Sequence, residues 1–241
     1  MIKFAFKGNH VKKKIILLLF VYLCIQFPIS VYGLDITLAV LNFENNSLFG
    51  TQDYNALSKG LAEIMITELS QVQSIYIVER RKLQSLLDEL KLSQAGFIEA
   101  KNSIQVGKML GAQHLVFGGF IVTLDDKIRI DVRIVNVESG VTVKADQVTG
   151  NTKQILSLIG KLGKKIVKDL DVHITDQEDQ LLGNNQKIDL EAILHFSQAL
   201  EYEDSGNLKL AYENYQKAIQ IEPDFLEAQK NLDRLKFPKD E

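Results

Sequence analysis

The sequence predicts an α/β fold: a mixed sheet of about five strands, made of a βαβ crossover and an antiparallel meander flanked by helices, followed by an all-α helical-hairpin repeat module. Three observations predict it. Residues Lys127–Val137 alternate without a fault, a strand–helix–strand succession fills Ile36–Val78, and small and aromatic residues recur at fixed intervals after Ala192.

The meander comes first because the rest of the chain can be arranged around it. Ile128, Ile130, Val132 and Ile134 fall on one side of a two-residue period, and Arg129, Asp131 and Arg133 on the other. Branched aliphatics on one face with charge on the opposite face mark a half-buried strand. Upstream, His114–Val122 is apolar on both faces and joins through Thr123–Asp126. Downstream, Glu138–Gly140 turns the chain into a third alternating run, Val141–Val148. Links this short join antiparallel neighbours, because a parallel return needs a dozen residues or more.

Ile36–Phe43 reads as a buried strand, followed by a polar loop from Glu44 to Gly50. Asp53 is a candidate N-cap for a helix with Leu57, Leu61, Ile64, Met65 and Leu69 along one face, and Ile75–Val78 supplies the next strand. That succession is a right-handed parallel crossover. A second helix follows Glu79-Arg80-Arg81, with Leu83, Leu86, Leu87 and Leu90 on its core side and Ser93–Gly96 as its end. A third runs from about Ser103 to Leu110 and stops at Gly111. After the meander, Asn151 or Thr152 caps a fourth helix with a stripe of Ile155, Leu158, Ile159, Leu162, Ile166 and Leu170. Its lysines, Lys161, Lys164, Lys165 and Lys168, read as a solvated face. Periodicity then fades.

Composition bounds the function. The chain is 46% hydrophobic and 24% charged, with a formal net charge of -3. A lysine-rich start, an apolar run from Ile15 to Phe27, Pro28, and Val31-Tyr32-Gly33 before Leu34 have the layout of a secretory signal cleaved between Gly33 and Leu34. The apolar run is shorter than the ~20 residues of a membrane-spanning helix. Residues 1–33 hold five lysines (Lys3, Lys7, Lys12, Lys13, Lys14) and no acid, so their removal leaves 23 basic against 31 acidic side chains. That balance disfavours nucleic acid as a partner. Cys24 is the one cysteine, and Leu23 precedes it where a lipoprotein signal carries a small residue. Cleavage after Gly33 leaves a thiol-free chain, with no disulfide framework or zinc–thiolate site.

From Ala192 on, the spacing matches a tetratricopeptide repeat. With Pro223 closing a unit of about 34 residues, Ala199, Tyr202, Gly206, Ala211, Tyr215 and Ala218 fall at its small, aromatic and turn positions. His195 and Gln198 depart from the pattern. Phe225–Leu235 supplies a capping helix. One repeat lacks the core to stand alone, so it packs on the first domain, pairs with a copy of itself or accepts a partner. The expected organisation is a signal peptide over 1–33, an α/β domain over 34–171, a linker over 172–190, and one repeat plus capping helix over 191–238.

No residue pattern supports catalysis, a cofactor or a metal. His10, His114, His173 and His195 are dispersed, and neither a His-x-x-Glu-His nor a Gly-x-Ser-x-Gly motif occurs. Gly160-Lys-Leu-Gly-Lys-Lys165 lacks phosphate-loop spacing and reads as helix surface. Gly118-Gly119 inside an apolar strand marks a bulge or a close approach. Asp125, Asp126 and Asp131 read as turn and surface acids. Glu79-Arg80, at a strand-to-helix junction, is the one charge pair singled out, as a structural ion pair.

Five ordered blocks resemble the curli production assembly/transport (CsgG) family: Ala39–Asn45 with Phe43, Gly60–Leu69, Ile77–Arg80 with Glu79 and Leu83, Gly111-Ala112 through Gly118, and Val132–Gly140. The resemblance, which extends to LpoB-type peptidoglycan-synthase activators and a flagellar accessory group, implies a bacterial envelope protein that works by protein contacts. It implies a location in the periplasm, the space bounded by the outer membrane. The partners it implies are envelope proteins or peptides held by the core and the repeat, with homo-oligomers and peripheral membrane association as further options. The secretion-channel member carries a lipid-anchored cysteine and two long inserted hairpins that build a transmembrane barrel. Thr123–Asp126 and Glu138–Gly140 are too short for such hairpins, so the pore is not carried over. Three alternatives stay open: a ring subunit of an export apparatus, an activator of cell-wall synthesis, and a small-ligand binder or enzyme using the loop after Phe43.

Overall fold

A computed structural model describes residues 35–48, 54–89, 100–183 and 187–235. The six strands are β1 (Ile36–Val40), β2 (Glu44–Asn45), β3 (Ile75–Ile77), β4 (His114–Val122), β5 (Lys127–Asn136) and β6 (Thr142–Asn151). The helices are α1 (Leu57–Leu69), α2 (Arg80–Glu89), α3 (Ala100–Met109), α4 (Ile155–Asp169), α5 (Asp176–Leu181), α6 (Leu190–Asp204), α7 (Leu208–Ile221) and α8 (Leu226–Arg234).

All six strands form one mixed sheet in the order β3-β1-β4-β5-β6, with β2 continuing alongside β4. β1 is parallel to β3 and β4, and the crossover through α1 follows from the strand–helix–strand succession. β4, β5 and β6 form the antiparallel meander. The extra strand relative to the sequence reading is β2, from the polar loop after Phe43. Val40 lies opposite Val116 and Glu44 opposite Gly119, so one strand advances four residues while its partner advances three. The irregularity expected near Gly118 thus sits in the β1–β2 strand. Gly118 itself answers to a close approach, since a Cβ there would lie 1.8 Å from the Asp131 carbonyl oxygen.

Hydrophobic patterning distributes the helices. Ile128, Ile130, Val132 and Ile134 of β5 and Val116, Phe120 and Val122 of β4 pack with α1 and α4. On the opposite face Ala39, Leu41 and Leu115 pack with Leu83 and Leu87 of α2 and Val106 and Leu110 of α3. β4 is apolar on both faces because it contributes to both layers. α2 and α3 cover that second face only in part, and beside them the β5–β6 portion lies open.

Asn151 caps a single 3-10 turn, Thr152–Gln154, through a reciprocal capping box, and α4 follows directly. α1 begins after Ala56 without a side-chain cap; Asp53 lies outside the described residues, as do Leu90, Ser93 and Gly96.

Residues 172–190, read from the sequence as a linker, hold α5 and bury Leu182 and Ile188 in the main core. Two local devices order this stretch. Gly160, read as helix surface, is buried: a Cβ there would lie 2.2 Å from the Gly183 Cα, so the glycine permits direct backbone contact. Glu178 accepts hydrogen bonds from the Thr175 amide, the Thr175 hydroxyl and the Gln73 amide, each at 2.8 Å, which ties α5 to the turn before β3. Leu34–Glu241 accordingly forms one compact unit.

These donors, with the Thr175 and Gln73 backbone N–H groups foremost, lower the Glu178 pKa below the ordinary 4.5. A lowered carboxylate pKa stabilises the fold above the unfolded value, and that contribution is lost as pH falls through the folded one. Glu178→Gln should cost about 1–3 kcal/mol at neutral pH. In urea unfolding at a series of pH values, the gap from wild type should close below the ordinary glutamate value of 4.5.

Candidate functional site

The most concentrated charge in the described structure lies where the C-terminal helices meet the α/β layers. Arg80, the first residue of α2, is buried. It pairs with neither Glu79 nor solvent. Its Nη1 donates to Asp204 Oδ1 at 2.5 Å, and its Nε lies 3.2 Å from Glu63 Oε2. Lys59 Nζ reaches the other Asp204 oxygen at 2.8 Å. Beside it, Glu203 receives Arg234 Nη2 at 2.6 Å, Arg81 Nε at 3.2 Å and the Tyr215 hydroxyl at 3.0 Å. Lys59 and Glu63 come from α1, Arg80 and Arg81 from α2, Glu203 and Asp204 from the end of α6, Tyr215 from α7 and Arg234 from α8. Five helices converge on two adjacent carboxylates.

The electrostatics follow from burial. Desolvation, the largest influence on Glu63, outweighs the attraction of Arg80 and raises its pKa. Burial also works against the charge on Arg80, yet Asp204 and Glu63 overcome it and hold the guanidinium more firmly protonated. Tyr215 is pushed far up by burial and by Glu203, so it remains a hydrogen-bond donor. What the cluster does in the fold is fix position: each buried charge has an opposite charge or a hydrogen-bond donor from another helix. Close helix packing seals the same junction, where α6 lies on α1 with Gly60 beneath Ser197 and a Cβ on Gly60 would fall 1.9 Å from the Ser197 Oγ and 3.0 Å from its Cβ.

The repeat-defining positions build a helical hairpin. Ala199, Ala211, Tyr215 and Ala218 are fully buried, Tyr202 is half-buried, and Gly206 adopts φ +76° in the turn between α6 and α7. Phe196 stacks at a tilt on Tyr215 and Phe225, with ring centroids 5.9 and 4.9 Å apart. Pro223 lies in the α7–α8 turn, its carbonyl accepting from Gln229. His195, at the position where the pattern expects an aromatic, meets Asn214 at 3.1 Å.

The family-motif positions are scattered. Phe43 is buried in the main core and Ala112 in the second. Gly111 and Gly140 take φ +69° and +70° in turns, Gly118 lies in β4, and Glu79 is exposed. Only Arg80 joins the junction. Gly33, Leu34 and Cys24 lie outside the described residues.

A second feature is the open part of the sheet, a groove of about 630 Å³ lined by Phe117, Gly119, Arg129, Asp131, Arg133 and Gln147, among others. Arg129 and Asp131 pair with each other at 2.6 Å. Burial lowers the His114 pKa below the ordinary 6.5. Among the described residues, no group of three or more His, Cys, Asp or Glu could hold a metal ion. No helix is long and apolar enough to cross a membrane, again among the described residues.

The model of the family described as curli production assembly/transport component CsgG matches residues 28–127. The matched range is less than half of the chain; it runs to the first residue of β5 and stops short of the Val132–Gly140 block. No curated protein matches the chain. Among solved structures, the LpoB C-terminal domain from Salmonella enterica is 14% identical at a TM-score of 0.36, covering 51% of this chain and 87% of that one. Lipoprotein GNA1162 from Neisseria meningitidis is 14% identical at 0.41, covering 58% and 99%. The PelC dodecamer from Paraburkholderia phytofirmans is 12% identical at 0.35, covering 57% and 89%.

Removing one partner of a buried ion pair leaves the others uncompensated, so Arg80→Met should destabilise by about 3–5 kcal/mol. Adding Asp204→Asn should recover part of that loss in a double-mutant cycle read by denaturant unfolding. Gly60→Ala should cost about 1–3 kcal/mol through overpacking against α6. Ser197→Gly in the same background should restore stability.

Proposed function

We propose that the chain is a non-enzymatic assembly or scaffold factor of the bacterial envelope, exported to the periplasmic side and acting through protein–protein contacts. The observation that carries this reading is the family-model match over residues 28–127, which spans β1–β4 and the helices between them. The leader-like composition of residues 1–33 agrees with export.

Within that reading, α6, α7 and α8 are the repeat and its capping helix, and the repeat is anchored on its own core. Along α6 only Glu191 and Glu201 are exposed. The outer surfaces of α7 and α8, where Leu208, Ile221 and Leu226 are exposed, are then the part of the module that remains for a partner. The ring-subunit reading finds less support: the β4–β5 and β5–β6 junctions are tight turns, closed by hydrogen bonds from Thr123 N to the Lys127 carbonyl and from Gly140 N to the Asn136 carbonyl, so neither carries an inserted hairpin.

Fractionation of the envelope, with sequencing of the mature N-terminus, should place the protein in the periplasmic or membrane fraction with Leu34 as its first residue. In-cell crosslinking should trap at least one other envelope protein. Recovery from the cytosol with residues 1–33 intact, or turnover of a substrate by the purified chain, would overturn the proposal.

A further inference from the structure

β6 is the outer strand of the meander and, among the described residues, pairs on one side only, with β5. In an antiparallel ladder, opposed residues alternate between pairs that exchange both hydrogen bonds and pairs that exchange none. The Thr152 amide donates to the Asp126 carbonyl at 2.8 Å, and Lys127 lies opposite Asn151, so the exchanging residues of β6 are the even-numbered ones back to Lys144. Ala145, Gln147 and Thr149 therefore turn their backbone N–H and C=O groups away from the sheet. One of these carbonyls verifies the direction: that of Gln147 accepts from Lys165 Nζ at 3.3 Å, from outside the ladder.

The flank of this edge is basic on the α4 side. Lys161, Lys165 and Lys168 recur at i, i+4 and i+7 and so share a helix face. Lys165 pairs with Asp146 at 2.8 Å, which sets that face over β6. Lys144, on β6 itself, is 57% exposed and lies 3.8 Å from Asp169. Lys161 and Lys168 are exposed, and neither has an ion-pair partner among the described residues. Four lysines thus face two carboxylates, in a chain that from Leu34 on carries 23 basic and 31 acidic side chains. On the other face of β6, Val143 and Ala145 are exposed.

We propose that the free edge of β6 accepts an extended acidic segment of a partner protein as an added strand. This rests on the reading of the chain as a protein-contact factor. The segment bonds through its backbone to Ala145, Gln147 and Thr149, turns its acidic side chains toward Lys144, Lys161 and Lys168, and its aliphatic ones toward Val143 and Ala145. A second copy of β6 is the poorer occupant, because antiparallel self-pairing would bring two lysine rows to the same side of the joined sheet.

The test uses the full chain and a capped peptide alternating Glu with Val and Thr, with a control carrying Lys in place of each Glu. The acidic peptide should protect the amides of Ala145, Gln147 and Thr149 from hydrogen exchange, and the control should not. Lys161→Glu with Lys168→Glu, both at exposed positions, should weaken binding roughly tenfold. Gln147→Pro should abolish it, since it removes an outward donor and spares the β5 ladder. Absence of protection by the acidic peptide, or wild-type affinity of a folded Gln147→Pro, overturns the proposal. So does a dimer of the free chain that Gln147→Pro dissolves, or equal binding of wild type and Gln147→Pro to phosphatidylglycerol vesicles with loss in the lysine variant. An envelope partner still crosslinked by Gln147→Pro would sink the edge-strand inference alone and leave the proposed function in place.

Discussion

Two neighbouring carboxylates at the end of α6, Glu203 and Asp204, fix how the C-terminal helices seat on α1 and α2. Lys59, Arg80, Arg81 and Arg234 close on them from three other helices, and Tyr215 donates from a fourth. Buried ion pairs of this kind contribute little net stability, because desolvation offsets most of the attraction. What they impose is geometry. The α6–α8 hairpin cannot slide or rotate on α1 without leaving a charge unpaired in a poorly solvated place. The apolar packing around Phe196, Tyr215 and Phe225 supplies adhesion, and the charges supply position.

That constraint changes what the C-terminal helices can do. A lone helical hairpin lacks enough core to stand by itself, and neighbours usually complete it. Here α1 is the neighbour. The short stretch between the α/β layers and α6 takes part as well: Gly160 and Gly183 let two backbones touch, and Glu178 spans to Gln73. The opposite edge of the sheet is built differently. β6 is exposed along most of its length and, among the described residues, pairs with no strand beyond it, so its outward backbone groups lie at the surface. One side of the molecule is locked by charge and the other is left open.

Legibility in the sequence divided along the range of the interaction. The meander could be read because a two-residue period, set by the alternation of side chains on a strand, needs only neighbouring residues to declare itself. The α4 stripe and the turn at Gly206 were legible for the same reason. Arg80 was singled out at the right position but with the wrong partner in view: Glu79 is adjacent in sequence and exposed, while Asp204 lies 124 residues away. Nothing in the local pattern names a partner at that distance. β2 was missed because two polar residues carry no period.

The sequence by itself determined the described strands apart from β2, the described helices apart from α5, their amphipathic faces and the βαβ-plus-meander order, because each is written in short-range spacing of apolar side chains. Tertiary structure decided the rest: which carboxylates Arg80 serves, that residues 172–190 hold a helix and buried side chains, and that β6, among the described residues, has no strand on its outer side. Those outcomes depend on how separately legible surfaces meet in space. Burial then selects, among many charges of similar local appearance, the few that must find a partner.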